Sequence, residues 1–328
     1  MNTVVVHWNI INHGGNFPAK RKGCSVTTSS ETVCPPGTVI TGKWQKNQYI
    51  VERLLGRGAN GSVYLVYRRG HPDRYALKVG YDTLELQSEV NILRALNRQL
   101  PSSYFIEADD YKSVSGEAAF YVMRYVEGVQ LHQFIRARGR EWLGLVGLKL
   151  LERLSSLHSL GYIFGDLKPE NVMVSPYGSV ELIDYGGVSA PGRSVKQFTE
   201  WYDRGYWNAG SRTGDEAYDL FSFAVMCIQL LDEESLRGAS AQLPQIRSVQ
   251  DLEAVLRKSS QLKPYAAWLG RALGGGFANS REALNAWKKG VYARAVPRKR
   301  NKTPRWLQRS FFLSIVFAGA ALYLFLKT

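Results

Sequence analysis

Asp166, Lys168 and Asn171 lie together in Phe164-Gly165-Asp166-Leu167-Lys168-Pro169-Glu170-Asn171, a D-x-x-x-x-N spacing with a lysine inside it. Another acid follows in Asp184-Tyr185-Gly186, and another lysine precedes in Tyr75-Ala76-Leu77-Lys78. Further upstream, Gly56-Arg57-Gly58-Ala59-Asn60-Gly61-Ser62-Val63 fits G-x-G-x-x-G-x-V. Two carboxylates, an amide oxygen, two ammonium groups and a glycine-rich loop suit phosphoryl transfer from a nucleoside triphosphate. That reaction is catalysed by positioning and charge neutralisation rather than by covalent chemistry. Glycines let the backbone approach phosphates closely. A lysine on an otherwise apolar strand needs an anionic partner, and the α/β phosphates supply one. Glu89, in Ser88-Glu89-Val90-Asn91-Ile92-Leu93, is the candidate carboxylate that orients Lys78; Glu85, one turn earlier, is the rival. Taken singly, these signals are weak. An ordinary hairpin can be glycine-rich, and a helical glutamate is more often a solvated surface residue.

The elements that must hold these groups can be read from periodicity. Residues 49–67 alternate apolar and polar around the glycine-rich turn, as a β-hairpin does. The glycines therefore lie between two strands rather than between a strand and a helix, which argues against a dinucleotide-binding fold. Short strands are expected at 75–79, 120–126 and 179–183. Leu86, Val90, Leu93 and Leu96 have helical spacing, as do Leu143, Val146, Leu150, Leu154 and Leu157, with Gly161 as the stop. Residues 220–231 are almost continuously apolar, hence a buried helix. The pattern is an α+β domain over 38–287, with a small β-rich lobe, a larger helical lobe and a cleft between them. No internal repeat interrupts it. A 45% hydrophobic content excludes wholesale disorder. The three cysteines (Cys24, Cys34, Cys227) form no CxxC pair, which excludes a disulfide scaffold and disfavours structural zinc.

The motifs, in this order and context, resemble a Hanks-type bacterial serine/threonine protein kinase over roughly residues 40–285. The resemblance implies the bilobal protein-kinase fold, ATP and Mg²⁺ as cofactors, and protein Ser/Thr hydroxyls as acceptors. Gly56, Gly58 and Gly61 would cover the phosphates, and Val63 and Ala76 would join the ATP-binding set. Met123 would be the gatekeeper, with the hinge at 124–126 presenting Tyr125 and Val126 to adenine. Lys78 would contact the α/β phosphates and pair with Glu89. Asp166 would accept or orient the substrate hydroxyl proton, Lys168 would steady the γ-phosphate, and Asn171 and Asp184 would hold Mg²⁺. Asp219 would brace the catalytic loop. Self-association for autophosphorylation is a further implied partner. Several positions depart from the family pattern. Phe164 and Gly165 replace the usual His-Arg, so activity is expected not to require an arginine–phosphate pairing in the activation loop. Ser189, Ser194 and Thr199 remain candidates for phosphorylation. Tyr185 replaces Phe, no A-P-E is evident, and the lower lobe over 232–285 is expected to be reduced. Two alternatives stay open: a small-molecule kinase with an H-G-D loop, and an inactive kinase-fold scaffold at a membrane.

The formal charge of +14 is concentrated at one end. Lys288, Lys289, Arg294, Arg298, Lys299, Arg300, Lys302, Arg305 and Arg309 occur with no acid among them, and Lys327 follows; the first 287 residues carry only +4. Residues 310–326 then form 17 uncharged residues, SFFLSIVFAGAALYLFL. At about 1.5 Å per residue this is roughly 25 Å, the short end of a transmembrane helix. The basic flank and Trp306 place the kinase domain on the cytoplasmic side of a single-pass anchor in the cell membrane, with no outer domain expected. Residues 1–37 read as an extension and make a poor signal peptide. The basic linker at 288–309 fits anionic lipid headgroups or DNA phosphates, or it does no more than set topology. The arrangement resembles sporulation-associated kinases of endospore-forming bacteria, in which the corresponding region is taken to bind DNA and stimulate activity. That resemblance favours DNA.

Overall fold

The computed structural model describes residues 34–99, 104–113, 116–196, 199–293 and 305–327. Alternation between the two faces of a pleated strand organises the first half of the chain. Strands β1 (Val39–Thr41), β2 (Gln48–Gly58), β3 (Gly61–Arg68), β4 (Arg74–Gly80), β5 (Phe105–Ser113) and β6 (Gly116–Arg124) form one antiparallel sheet in the order β1-β2-β3-β4-β6-β5. Tyr64 and Val66 of β3 face a cluster with Ile40, Tyr49, Val51 and Leu77. Leu65, between them, faces the opposite cluster with Ala76, Tyr121 and Met123. Helix α1 (Thr83–Gln99) lays Leu86, Val90 and Leu93 on this second face. The glycine-rich turn closes the β2–β3 hairpin, with Gly58 paired to Gly61. The strand expected over 120–126 begins earlier and ends at Arg124, leaving Tyr125 and Val126 as a connector to the second lobe.

That lobe is helical. Strand β7 (Val129–Gln130), α2 (Leu131–Arg138), α3 (Leu143–Ser159), β8 (Val172–Val174), β9 (Val180–Leu182) and α4 (Glu216–Ser240) follow in order. Strands β7, β8 and β9 make a small sheet that carries the loop 163–171 at its edge. Helix α4 is buried on every side from Tyr218 to Ile228, as its unbroken apolar sequence requires, and kinks at Asp232. Helices α5 (Val249–Lys258), α6 (Ala266–Leu273) and α7 (Ser280–Trp287) complete the lobe. Trp287 is fully buried against Phe223 and Trp268 and donates to the Gly144 carbonyl at 2.9 Å. Gly147 is obligatory there: a Cβ on it would stand 2.6 Å from the Trp287 ring. The segment 232–285 therefore supplies an aromatic core despite its weak family pattern.

The chain divides into two units between Ala293 and Arg294. The first ends in a π-helical turn, Lys288–Tyr292, that carries Lys288 and Lys289 and buries Val291. In the second, α8 (Arg305–Lys327) contains the uncharged run, with Phe311, Leu313, Val316, Phe317 and Phe325 exposed. Among the described residues no helix is long and apolar enough to cross a membrane. The uncharged stretch of 17 residues is at the lower limit for the hydrocarbon core. Arg294, Arg298, Lys299, Arg300 and Lys302, like most of the extension 1–37, lie outside the described residues.

Candidate active site

Ala76 and Lys78 share the face of β4 that meets α1. Lys78 is nearly buried and donates to Glu89 Oε2 at 2.8 Å, to Glu89 Oε1 at 3.1 Å and to Asp184 Oδ1 at 3.0 Å. Glu89 lies on the buried side of α1 with Leu86, Val90 and Leu93. The rival Glu85 is exposed, and its backbone amide is capped by Asp82. Helical geometry thus settles a choice that spacing alone left open. Tyr121, which sequence reasoning did not single out, donates to Glu89 Oε1 at 2.7 Å. Its only signal in sequence was an aromatic in the strand expected over 120–126. Burial pushes the Glu89 carboxyl up, against the pull of Lys78. Burial likewise works against the Lys78 ammonium, but the Asp184 and Glu89 carboxylates outweigh it and hold its pKa above the ordinary range.

Asp166 is buried in the loop that follows α3. Its Oδ2 accepts from Lys168 Nζ at 2.8 Å and from Asn171 Nδ2 at 3.0 Å, while the same amide also donates to the Asp166 carbonyl. Among the described residues, Oδ1 is buried and has no partner. Burial raises the Asp166 pKa, and Lys168 opposes the rise. Asp184 sits in a left-handed conformation before the 3₁₀ turn Tyr185–Gly187, its side chain half exposed. The protein packed around its carboxyl would raise its pKa, but the charge and hydrogen bond of Lys78, with Lys168 beyond, bring it below the usual value. Asp166, Lys168 and Asn171 therefore form one hydrogen-bonded set and Lys78, Glu89 and Asp184 another, and the charges of Asp184 and Lys168 act between the two.

Asp219, at the start of α4, is fully buried and accepts from the backbone amides of Phe164 at 2.7 Å and Gly165 at 2.8 Å. It also bonds His158 Nε2 at 2.8 Å. His158 was not anticipated; a histidine at the end of an amphipathic helix carries no distinguishing signal. Its Nδ1 lies 3.5 Å from Glu216 Oε2, a charge contact rather than a hydrogen bond. Burial works against the imidazolium, yet Asp219 and Glu216 raise its pKa to about 9. Gly165 has φ +72°, a left-handed geometry that strains other residues. A Cβ there would stand 2.8 Å from the Gly187 carbonyl oxygen. The glycine in place of arginine thus does more than lose a charge: it lets the loop close against Gly187. Phe164 packs edge-on to Tyr185, centroids 6.0 Å apart, so both aromatic replacements belong to one contact.

The glycine-rich hairpin stands over this group. Val63 pairs with Lys78, and Ala76 pairs with Met123, whose side chain is buried. Tyr125 and Val126 follow, half-buried. A Cβ built on Gly186 would have Asp184 Oδ1, Glu89 Oε2 and Asn60 Nδ2 all within 4 Å, so the Asn60 side chain of the hairpin tip reaches the neighbourhood of the two carboxylates. A separate cavity of 710 Å³ touches the hinge at Arg124, Tyr125 and Val126 but none of Lys78, Asp166 or Asp184. Where A-P-E is lacking, Arg204 grips Asp215 through two bonds of 2.7 and 2.9 Å, and Asp215 caps α4 by accepting from the Tyr218 amide. Among the described residues no cluster of three or more metal-binding side chains occurs.

Residues 49–271 match the family model for the protein kinase domain. The chain is 36% identical over 293 residues to serine/threonine-protein kinase YabT of Bacillus subtilis, covering 86% of this chain and 84% of that protein. It is 28% identical over 231 residues to serine/threonine-protein kinase F of a Synechocystis strain, covering 61% of this chain and 46% of that longer protein. The kinase domain of Mycobacterium tuberculosis PknI shares the fold, with a TM-score of 0.51 and 22% identity over 79% of this chain and all of that one. The family match and the long alignment to a serine/threonine kinase, on this bilobal fold, make the chain a member of the protein kinase family and a protein serine/threonine kinase.

Proposed function

We propose that this kinase works at the cytoplasmic face of the cell membrane, anchored by α8, and moves the γ-phosphate of ATP to Ser and Thr hydroxyls of proteins, a second copy of itself included. The observation that carries the catalytic reading is the buried Lys78–Glu89 pair meeting Asp184, together with the unpartnered Asp166 Oδ1. Gly56, Gly58 and Gly61 cover the phosphates, and Val63, Ala76, Met123, Tyr125 and Val126 enclose the adenine. Lys78, held by Glu89, meets the α/β phosphates. Asp166 Oδ1 takes the hydroxyl proton, and Lys168 steadies the transferring group. Asp184 and Asn171 offer hard oxygen donors, a set that fits Mg²⁺, which uses one or two protein ligands beside substrate phosphates. Bound there, Mg²⁺ would neutralise charge on the β- and γ-phosphates. Asn171 and Asp184 are already oriented by their bonds to Asp166 and Lys78.

Membrane attachment is supported by the uncharged run within α8, the exposure of its apolar side chains and the basic flank. The tract from Lys288 to Arg305 is proposed to engage DNA phosphates and modulate activity, and the resemblance to sporulation-associated kinases supports a role in sporulation. Transfer of label from ATP to the full chain and to a generic basic protein tests the core reading, with Asp166→Asn as control; transfer that survives this change refutes it. Duplex DNA or phosphatidylserine vesicles, added across a salt series, test the tract. Stimulation by DNA that is lost when Arg298, Lys299 and Arg300 are neutralised supports the proposal; stimulation by vesicles alone overturns it in favour of lipid.

A further inference from the structure

The glycine-rich hairpin is tied down from outside the cleft. Ser62 and Tyr64 are on the face of β3 opposite Val63, so the Ser62 side chain points away from the nucleotide side. Ser62 is buried, and its Oγ lies 2.7 Å from Tyr81 Oη. The Tyr81 backbone amide donates to the Asn60 carbonyl at 3.2 Å. One residue of the β4–α1 turn thus holds the hairpin tip through its backbone and the base of the third glycine through its side chain. Gly61 fits beneath: a Cβ there would stand 2.3 Å from the Val79 carbonyl oxygen. The same turn governs α1. Asp82 caps the helix through the Glu85 amide at 2.8 Å, and a Cβ on Gly80 would stand 2.9 Å from Leu86 Cβ. Helix α1 in turn carries Glu89 to Lys78.

We infer that Tyr81 is a positioning residue that clamps the glycine-rich loop over the phosphate site and couples its closure to the seating of α1. Tyr81 does not touch the nucleotide. It sets the fraction of time the loop is down, so it acts on nucleotide affinity more than on the chemical step. The inference rests on the ATP-using reading above, and wild-type transfer abolished by Asp166→Asn checks that reading separately.

The test uses the full chain and the variants Tyr81→Phe and Ser62→Ala, with thermal melting to confirm folding. Each variant is expected to raise KM for ATP and Kd for ADP about three- to fivefold, the effect of losing one half-exposed hydrogen bond, with kcat changing by less. The double variant is expected to go no further than either single one. In the nucleotide-free protein, hydrogen exchange of the amides at 59–63 is expected to quicken in Tyr81→Phe. Unchanged KM and Kd, fully additive effects in the double variant, or a fall in kcat with KM untouched would overturn the inference.

Discussion

Replacing His158 by glutamine removes a buried cation that stands between Asp219 and Glu216. The magnitude follows from linkage. The imidazole pKa rises from 6.5 to about 9 on folding, which corresponds to about 3 kcal/mol of stability at 1.36 kcal/mol per unit. Independent reasoning reaches the same scale, since breaking a buried pair by deleting one partner costs about 3–5 kcal/mol. The sign is set by proton count. Between pH 6.5 and 9 the folded state holds a proton that the unfolded chain has released, so stability falls as pH rises. The contribution is fully present below pH 6.5 and gone above 9. Urea unfolding of the wild type at pH 6, 7.5 and 9 is expected to show that decline, and His158→Gln is expected to be destabilised at pH 6 and to lose most of the slope. The variant is also expected to lose kcat, because Asp219 positions the amides of Phe164 and Gly165 next to Asp166. A wild type equally stable at pH 6 and 9, or a variant with the wild-type slope, would refute the account of a buried imidazolium brace.

Lys168 lowers the Asp166 pKa against the effect of burial, so Lys168→Met is expected to move the acid limb of the kcat/KM profile to higher pH, beyond the drop in kcat itself; a limb that stays in place contradicts the pairing. Gly165→Ala introduces a left-handed alanine, at a cost of about 1–2 kcal/mol, and pushes a Cβ against Gly187; denaturant unfolding and kcat should both fall, and wild-type values for both would show that the loop has room. Trp287→Ala deletes the centre of the aromatic cluster and the bond to Gly144, and chemical denaturation is expected to register a loss of about 3–5 kcal/mol; a loss below about 1 kcal/mol would place Trp287 outside the cooperative core.

Phosphotransfer chemistry was legible because its groups recur at short, fixed spacings within single loops and strands. Asp166 to Asn171 spans one turn, and the glycines span one hairpin. Lys78 announced itself as a charge on an apolar strand. Groups that act across elements left weaker traces. Tyr121 and His158 looked like ordinary members of a strand and a helix, and nothing in the sequence marked Tyr81; each gains its role from a partner 19 or more positions away in the chain. Glu89 was the candidate and Glu85 its rival until packing showed which face of α1 met the sheet. The segment 232–285 looked reduced because family pattern is sparse there, yet its Tyr265, Trp268 and Phe277 pack with Trp287 in the core of the lobe.

The fold class, the lobe order, the candidate phosphotransfer groups, and a charge that is close to balanced in the domain and strongly basic beyond it could all be read from the chain alone. Periodicity and local spacing carry that information because they reflect backbone geometry. Folding in three dimensions was needed to show which carboxylate meets Lys78, why position 165 is glycine, what braces the catalytic loop and what holds the glycine-rich hairpin down. Those outcomes depend on contacts of 2.7 to 3.1 Å among side chains and backbone groups brought together by burial, and no one-dimensional period encodes them.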